Sequence, residues 1–249
     1  MQTGDNILIG GFIVTGNDPK QVLLRAIGPS MTVGGNPVPG RMADPTLELR
    51  DSNGVLLTSN DNWKDSPERT QIEATGFQPS DDRESAILRT LAPAAYTAIL
   101  RGKDNTTGIA LVEVYDRGLS VDSLLANISS RSFVETADNV LIGGFIAGNQ
   151  SASTDILVRA LGPSTKNSLP NALDDPTLEL HDSNGTMLAS NDNWKDAPER
   201  AQIEGTGIPP SHDLESAIFR TLAPAPYTAI VRGKDGGLGV GVVEIYNIR

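Results

Sequence analysis

Most of this chain consists of one segment that occurs twice. The stretch from Asp44 to Asp104 returns without a gap from Asp175 to Asp235, with 14 differences over 61 positions. A repeat of this length is typical of tandem domains and not of the short units that build a solenoid. A residue that occurs in only one copy cannot be required by the repeated unit. The two copies therefore test each candidate residue against the other.

The similarity extends beyond this block and predicts two domains of ordinary size. GDNILIGGFI at 4–13 pairs with ADNVLIGGFI at 137–146, and IALVEVYD at 109–116 pairs with VGVVEIYN at 240–247. We predict one domain over residues 1–117 and a second over residues 137–249. Residues 118–136 have no counterpart in either copy, and their apolar centre predicts a linker or a strand shared with a neighbouring sheet. We expect the chain to be part of a longer array.

Composition excludes several classes of function. The chain carries 20 basic and 31 acidic residues, a net charge of −11, so binding to a polyanionic nucleic acid is not expected. It has no cysteine, which excludes disulfides, thiolate metal sites and cysteine nucleophiles. No apolar run approaches about 18 residues, so we predict no membrane span. The N-terminal MQTGDN does not have the pattern of a signal peptide.

Short aliphatic and β-branched runs bounded by Gly, Pro, Asn and Asp predict strands. They predict an all-β chain of two tandem antiparallel β-sandwich, jelly-roll-like domains, each with one short helix. The alternative is a single closed barrel made jointly by both copies. Asn-Gly within 51–54 and within 182–185 predicts hairpin turns with positive φ at both central residues. In the helix, Asp65 is the predicted N-cap, Pro67 lies in the first turn and Gly76 ends it.

A cluster of acidic and amide side chains in each copy is the first candidate site. Carboxylate and amide oxygens on loops are the ligands that calcium prefers, so the cluster predicts a calcium site, although its spacing is not that of an EF-hand. The alternative is that these side chains only form turns and helix caps. The candidate ligands are Asp51, Asn53, Asp61, Asn62 and Asp65 in the first copy and Asp182, Asn184, Asp192, Asn193 and Asp196 in the second.

Trp63 and Trp194 follow this cluster in the sequence SNDNWKD. An exposed tryptophan beside polar side chains is typical of a sugar-binding face. With few other aromatic residues in the chain, a buried position between a sheet and the helix is the favoured interpretation. The two histidines, His181 and His212, are absent from the first copy, so a histidine-dependent mechanism cannot belong to the unit.

Charged residues recur in the middle of predicted strands. Opposite charges on neighbouring strands stabilise a sheet modestly when they are well placed. We predict that Arg25 pairs with Glu113 in the first domain, and that Arg159 pairs with Glu244 in the second. A carboxylate pair of Glu48 with Glu113 is the corresponding catalytic hypothesis.

The motifs DNVLIGGFI, VRALGPS, DPTLELHDSNG, SNDNW, ESAIFRTLAP and YTAIVRGKD resemble tandem β-rich repeats of large secreted bacterial proteins. A looser resemblance, over 49–54 and 91–102 and their equivalents 180–185 and 222–233, is to the bacterial pre-peptidase C-terminal β-sandwich domain. Ala94 and Ala225 stand where that family has a glycine. The resemblance implies a β-sandwich, and some relatives of that domain bind calcium or matrix polymers.

These observations predict a non-catalytic structural or adhesion module of a secreted or cell-surface bacterial protein, which assembles end to end. Its expected partners are neighbouring copies of the repeat or other surface proteins. The alternative is a calcium-assisted carbohydrate-binding module that contacts glycans through the SNDNW loop. An enzyme is the third hypothesis.

Overall fold

The computed structural model describes residues 7–118, 122–137, 139–147 and 152–248. The chain forms two compact units that divide between residues 126 and 127, called unit 1 and unit 2 below. This division lies inside the segment 118–136 that has no counterpart in either copy. The N-terminal MQTGDN lies outside the described residues.

Unit 1 consists of two antiparallel sheets and a small hairpin. One sheet has the strand order β1-β8-β5-β6, and the other has the order β7-β2-β9. The elements are β1 (Leu8–Gly16), β2 (Lys20–Ile27), β3 (Thr32–Val33), β4 (Asn36–Pro37), β5 (Pro45–Asp51), β6 (Leu56–Asn60), α1 (Arg69–Ala74), β7 (Ser85–Leu91), β8 (Ala94–Gly102) and β9 (Leu111–Asp116). Short 3-10 helices lie at Trp63–Asp65 and Lys103–Asn105.

The next strand, β10 (Ser123–Val134), crosses the division between the units. Unit 2 then repeats the two sheets, with the orders β11-β16-β13-β14 and β15-β12-β17, and β10 extends the second of them beside β17. Its elements are β11 (Leu141–Ala147), β12 (Thr154–Leu161), β13 (Pro176–Asp182), β14 (Met187–Asn191), α2 (Arg200–Gly205), β15 (Ser216–Leu222), β16 (Ala225–Gly233) and β17 (Gly239–Ile248). Short 3-10 helices lie at Pro163–Thr165, Trp194–Asp196 and Lys234–Gly236.

Each unit has its own core between its two sheets. Alternating residues of the strands point inward, as in β5, where Leu47 and Leu49 are buried and Glu48 between them is not. The equivalent core of unit 2 includes Leu178 and Leu180. The predicted all-β fold with two sandwiches is therefore confirmed. The alternative of one closed barrel shared by both copies is wrong, because each copy closes its own core.

The predicted hairpin between β5 and β6 forms, but with a different turn. Gly54 has a φ of +78°, whereas Asn53 is not among the residues with positive φ. The ladder shifts register beside Arg50, which is the pattern of a type I turn followed by a left-handed glycine. The expectation of positive φ at both central residues was wrong. The cause is the extra residue in the loop, which allows a common turn before the glycine.

The predicted N-cap of the helix was also wrong. Asp65 ends a 3-10 helix, and α1 starts only after Glu68, which makes no side-chain cap. Pro67 disfavours helical geometry at the residue before it, and Ser66 is extended with a ψ of 136°. The Ser66 Oγ accepts the N–H of Glu68 at 3.2 Å. The predicted end is confirmed: Gly76 has a φ of +72° and follows the last turn.

The segment around β10 is joined to both units by specific contacts. On the unit 1 side, the carbonyl of Asp122 accepts the N–H of Asn17 at 2.7 Å, and Leu125 packs against the unit 1 core. On the unit 2 side, β10 pairs with β17 over residues 127–134, and Val134 is buried in that core. This part of the chain is therefore an integrated strand and not a free tether. Among the described residues, every helix is too short to cross a membrane.

Candidate functional site

The five candidate calcium ligands of each copy do not meet at one place. Asp51 precedes β6 and Asp61 follows it, so they lie at opposite ends of this five-residue strand, roughly 15 Å apart at about 3.3 Å per residue. Among the described residues, no group of three or more His, Cys, Asp or Glu side chains is placed to hold a metal ion. Closeness in sequence did not give closeness in space, because β6 extends between the two groups.

Asp51 and its equivalent Asp182 organise the hairpin turns. The Asp51 Oδ1 accepts the N–H groups of Asn53 and Val55, both at 2.9 Å. Asp182 makes the same bonds, and the backbone N–H of Thr186 lowers the pKa of its carboxyl. This is the turn-forming interpretation of the cluster.

Asp61 instead faces a lysine from the end of β8. The Lys103 Nζ donates to Asp61 Oδ2 at 2.6 Å and lies 3.8 Å from Asp44 Oδ2. The hydrogen bond to Asp61 raises the pKa of Lys103. The Oδ1 atoms of Asp44 and Asp61 are buried and accept no hydrogen bond from any described residue. The Lys103 ammonium group thus lies beside two carboxylates, those of Asp44 and Asp61, and one oxygen of each carboxylate has no hydrogen bond to a described residue.

Unit 2 repeats this arrangement atom for atom. The Lys234 Nζ donates to Asp192 Oδ2 at 2.6 Å and lies 3.7 Å from Asp175 Oδ2. The Oδ1 atoms of Asp175 and Asp192 are again buried without a partner among the described residues. Burial raises the pKa of Asp175, which Lys234 opposes. The recurrence makes the two-carboxylate, one-lysine group a feature of the unit.

Of the remaining members of the cluster, Asn62 and Asp65 bond to each other. The Asn62 side-chain amide donates to Asp65 Oδ2 at 3.2 Å, at the exposed start of the 3-10 helix. In unit 2 the Oδ1 of Asn193 is buried without a partner among the described residues. Within the described residues, no hydrogen bond joins the side chain of Asn53, Asn184 or Asp196 to another candidate ligand.

Both tryptophans are in a second core, on the outer face of the smaller sheet. Trp63 is 5% exposed and packs with Leu23 of β2 and Ile72 of α1. Its indole N–H donates to the carbonyl of Asp81 at 3.2 Å. Trp194 is 6% exposed in the equivalent place. Both tryptophans therefore lie between a sheet and a helix, as the sequence predicted. This position leaves almost no indole surface for a sugar ring.

The predicted ion pairs across β2 and β9, and across β12 and β17, are confirmed. Arg25 Nε donates to Glu113 Oε2 at 2.7 Å, and the two residues are directly opposite in the ladder. Arg159 Nε makes the same bond to Glu244 at 2.9 Å. Beside the first pair lies Tyr115, whose hydroxyl bonds to both partners and whose pKa is raised by burial. Each arginine–glutamate pair therefore cross-links two neighbouring strands of its sheet.

The catalytic pairing of Glu48 with Glu113 has no support in this geometry. Glu48 bonds to Arg50 on its own strand and lies 3.3 Å from Arg101 on β8. Glu113 lies in the other sheet, beside Arg25. In unit 2 a histidine replaces Arg50, and His181 Nε2 lies 2.9 Å from Glu179 Oε2. This histidine is half-buried, and its bond to Glu179 raises the pKa of His181.

A buried glutamate in each unit was missed by sequence reasoning. Glu84 is fully buried, and its Oε1 accepts the N–H of Gly28 at 3.1 Å, and the N–H of Ser30 at 2.9 Å and its hydroxyl at 2.6 Å. Its Oε2 accepts the N–H of Asp81 at 3.3 Å. Glu215 repeats the four bonds in unit 2. The sequence feature that could have indicated this role is that Gly-Pro-Ser and Glu-Ser are unchanged between the two copies.

Comparison of the chain with protein-family models and with curated proteins finds no match.

Proposed function

We propose that this chain is a pair of repeats from a non-catalytic structural or adhesion module of a secreted or cell-surface bacterial protein. The observation that carries the proposal is the segment 122–134. Asp122, just before β10, accepts the N–H of Asn17 in unit 1, and β10 pairs with β17 of unit 2 over eight residue pairs. Arrays in which each repeat is tied to its neighbour gain stability from nearest-neighbour terms. A strand shared in this way suits a module that spaces or presents other domains.

The polar groups that both copies keep support the same proposal. Arg25 and Glu113 cross-link strands, Glu84 holds a loop, and Lys103 holds Asp61. Each of these groups is engaged in an internal bond that stabilises the fold. The secreted or surface location and the partners, which are neighbouring copies or other surface proteins, rest on the resemblance of the motifs.

The test is whether the two units stabilise each other. We expect Glu215→Ala to unfold unit 2 first in urea, because it leaves three backbone N–H groups without their acceptor. Unit 1, without its folded neighbour, should then unfold at a urea concentration lower by about 0.5 M, for a coupling of about 1 kcal/mol. Pulsed hydrogen exchange at each urea concentration, read on peptides of each unit, measures both midpoints.

Glu204→Ala is the matched control, because Glu204 forms an exposed pair with Arg200 on α2. It should leave both midpoints within about 0.2 M of the unchanged chain. If unit 1 keeps its midpoint in the Glu215→Ala variant after unit 2 has unfolded, the units are independent beads and the proposal fails.

A second candidate function is a calcium-assisted carbohydrate-binding module. The observation that favours it is the pair of buried carboxylate oxygens without a partner at Asp44 and Asp61, repeated in unit 2. In this candidate the ion would take the place of the Lys103 ammonium group. Lys103→Met should then strengthen calcium binding in calorimetric titration, while Asp51→Asn, at the other end of β6, should not weaken it. Flat titrations of the unchanged chain and of Lys103→Met exclude this candidate.

A further inference from the structure

Strand β9 in unit 1 and strand β17 in unit 2 occupy the same position in their sheets. Each pairs with the strand that carries the arginine kept in both copies, Arg25 or Arg159, and Glu113 and Glu244 stand at the same register. On its other side β17 pairs with β10, from Asn127 opposite Tyr246 to Val134 opposite Gly239. In the described part of the chain, β9 is the last strand on that side of its sheet. The two copies therefore differ at this edge.

An apolar position at this edge is exposed in unit 1 and covered in unit 2. Ile109 is 42% exposed, whereas its equivalent Val240 is 2% exposed and lies opposite Phe133 of β10. Leu111, which begins β9, is also 42% exposed. An unpaired strand edge with exposed aliphatic side chains is a surface that binds another strand.

The backbone at the start of β9 already has the conformation that β17 has. Gly108 has a φ of +159°, and its equivalent Gly239 has a φ of +156°. Ile109 donates its N–H to Gly40 at 2.9 Å and accepts the N–H of Met42 at 2.8 Å. Val240 makes the equivalent two bonds in unit 2. The edge is thus preorganised, and a strand that binds here does not have to reshape it.

We propose that the outer edge of β9 binds a β10-type strand, meaning a segment with the sequence pattern of Ser123–Val134, supplied by another copy of the repeat. This inference rests on the proposed function, because it assumes that the units belong to arrays. The strand runs antiparallel to β9 and adds to the sheet by main-chain hydrogen bonds. The register of unit 2 places the phenylalanine of that strand opposite Ile109 and its arginine opposite Leu111.

One residue difference makes the site in unit 1 tighter. Gly241 of β17 faces Val134, and a Cβ at Gly241 would lie 3.2 Å from the Val134 Cγ2. Unit 1 has Ala110 at this position. The incoming valine must therefore shift by a few tenths of an ångström, and Ala110→Gly should improve the fit.

The test places the strand where it stands in the second copy. In a variant of the full chain, a second copy of residues 122–136 is placed directly before Gly4. This junction reproduces the second repeat, where Thr136 directly precedes Ala137, the equivalent of Gly4. The tether makes pairing with β9 intramolecular. We expect the amides of β9 to exchange at least about tenfold more slowly than in the unprefixed chain. Ala110→Gly should increase this protection. A prefix of the same composition in scrambled order is the control.

Paired lysine substitutions locate the contact. Ile109→Lys with Leu111→Lys should remove the protection, whereas Leu56→Lys with Leu57→Lys, two exposed positions in the edge strand β6, should keep it. If the prefixed chain fails to fold, a synthetic peptide of residues 122–135 added to the unchanged chain gives the same readout.

Three results overturn the inference: unchanged exchange in β9, equal protection by the scrambled prefix, or loss of protection with the Leu56 and Leu57 pair. Protection of β9 in the unprefixed chain that rises with protein concentration also overturns it, because β10 of each such chain is already paired with β17, so a segment other than a β10-type strand would cover the edge. If β9 gains no protection while Glu215→Ala still lowers the unit 1 midpoint, only this inference fails and the proposed function stands.

Discussion

Removing the carboxylate of Glu84 should destabilise unit 1 more than any surface substitution. Its Oε1 is the acceptor for two backbone N–H groups, those of Gly28 and Ser30, and for the Ser30 hydroxyl. Both N–H groups lie in the turn that follows β2, and Gly28 is buried. The carboxylate therefore holds this turn against the residues that precede β7.

The magnitude follows from the bonds that each variant keeps. In Glu84→Ala the backbone N–H groups of Gly28, Ser30 and Asp81 lose their acceptor. The two held by Oε1, at about 1–3 kcal/mol each, already give an expected loss of at least about 2–5 kcal/mol. Glu84→Gln keeps an oxygen for those donors but turns an N–H₂ group toward the N–H of Asp81, so we expect a loss of about 1–2 kcal/mol.

Urea unfolding with peptide-resolved hydrogen exchange measures the unit 1 midpoint for both variants. Fluorescence alone is unsuitable, because each unit has one tryptophan and the two signals overlap. A loss below about 1 kcal/mol for Glu84→Ala, or equal losses for the two variants, would contradict the reasoning. The first result means that the turn does not depend on the carboxylate, and the second that the oxygen kept by Gln has no value.

Three further predictions concern unit 2. A double-mutant cycle of Arg159→Met with Glu244→Gln should give a coupling of about 1–3 kcal/mol, and a coupling near zero would show that the pair is not bonded in solution. The bond to Glu179 raises the pKa of His181, so its contribution to stability is complete below the unfolded value of about 6.5 and is lost as the pH rises through the folded value. A pH titration of unit 2 stability should show this loss, and His181→Arg, which copies unit 1, should abolish it; an unchanged profile contradicts the assignment. In a Trp63→Phe variant, which leaves Trp194 as the remaining indole, acrylamide should quench the fluorescence weakly because Trp194 is buried, whereas strong quenching would place it on an open face.

Sequence reasoning reached those features in which one residue type decides a local geometry. Gly54 and Gly76 were correctly placed in left-handed turns, since no other residue adopts that conformation as readily. The pairing of Arg25 with Glu113 was also predictable, because both copies keep a charge in the middle of an apolar strand. A charge in that position needs a partner on the neighbouring strand.

The features that depend on which distant segments meet were not predictable. Glu84 and its acceptor role were missed because Gly28 and Ser30 are more than fifty residues away in sequence. The calcium cluster failed to converge because β6 separates Asp51 from Asp61. The open edge of β9 could not be foreseen, because it depends on β10 pairing with the unit that follows it and leaving the preceding sheet short of one strand.

The measurement that tests the account most directly is the reciprocal effect of unit 1 on unit 2. In Glu84→Ala, unit 1 unfolds first in urea, and unit 2 then loses the neighbour to which β10 joins it. Because coupling is reciprocal, the unit 2 midpoint should fall by about the same 0.5 M that Glu215→Ala removes from unit 1. An unchanged unit 2 midpoint, with unit 1 already unfolded, would contradict the claim that this chain is a coupled structural repeat.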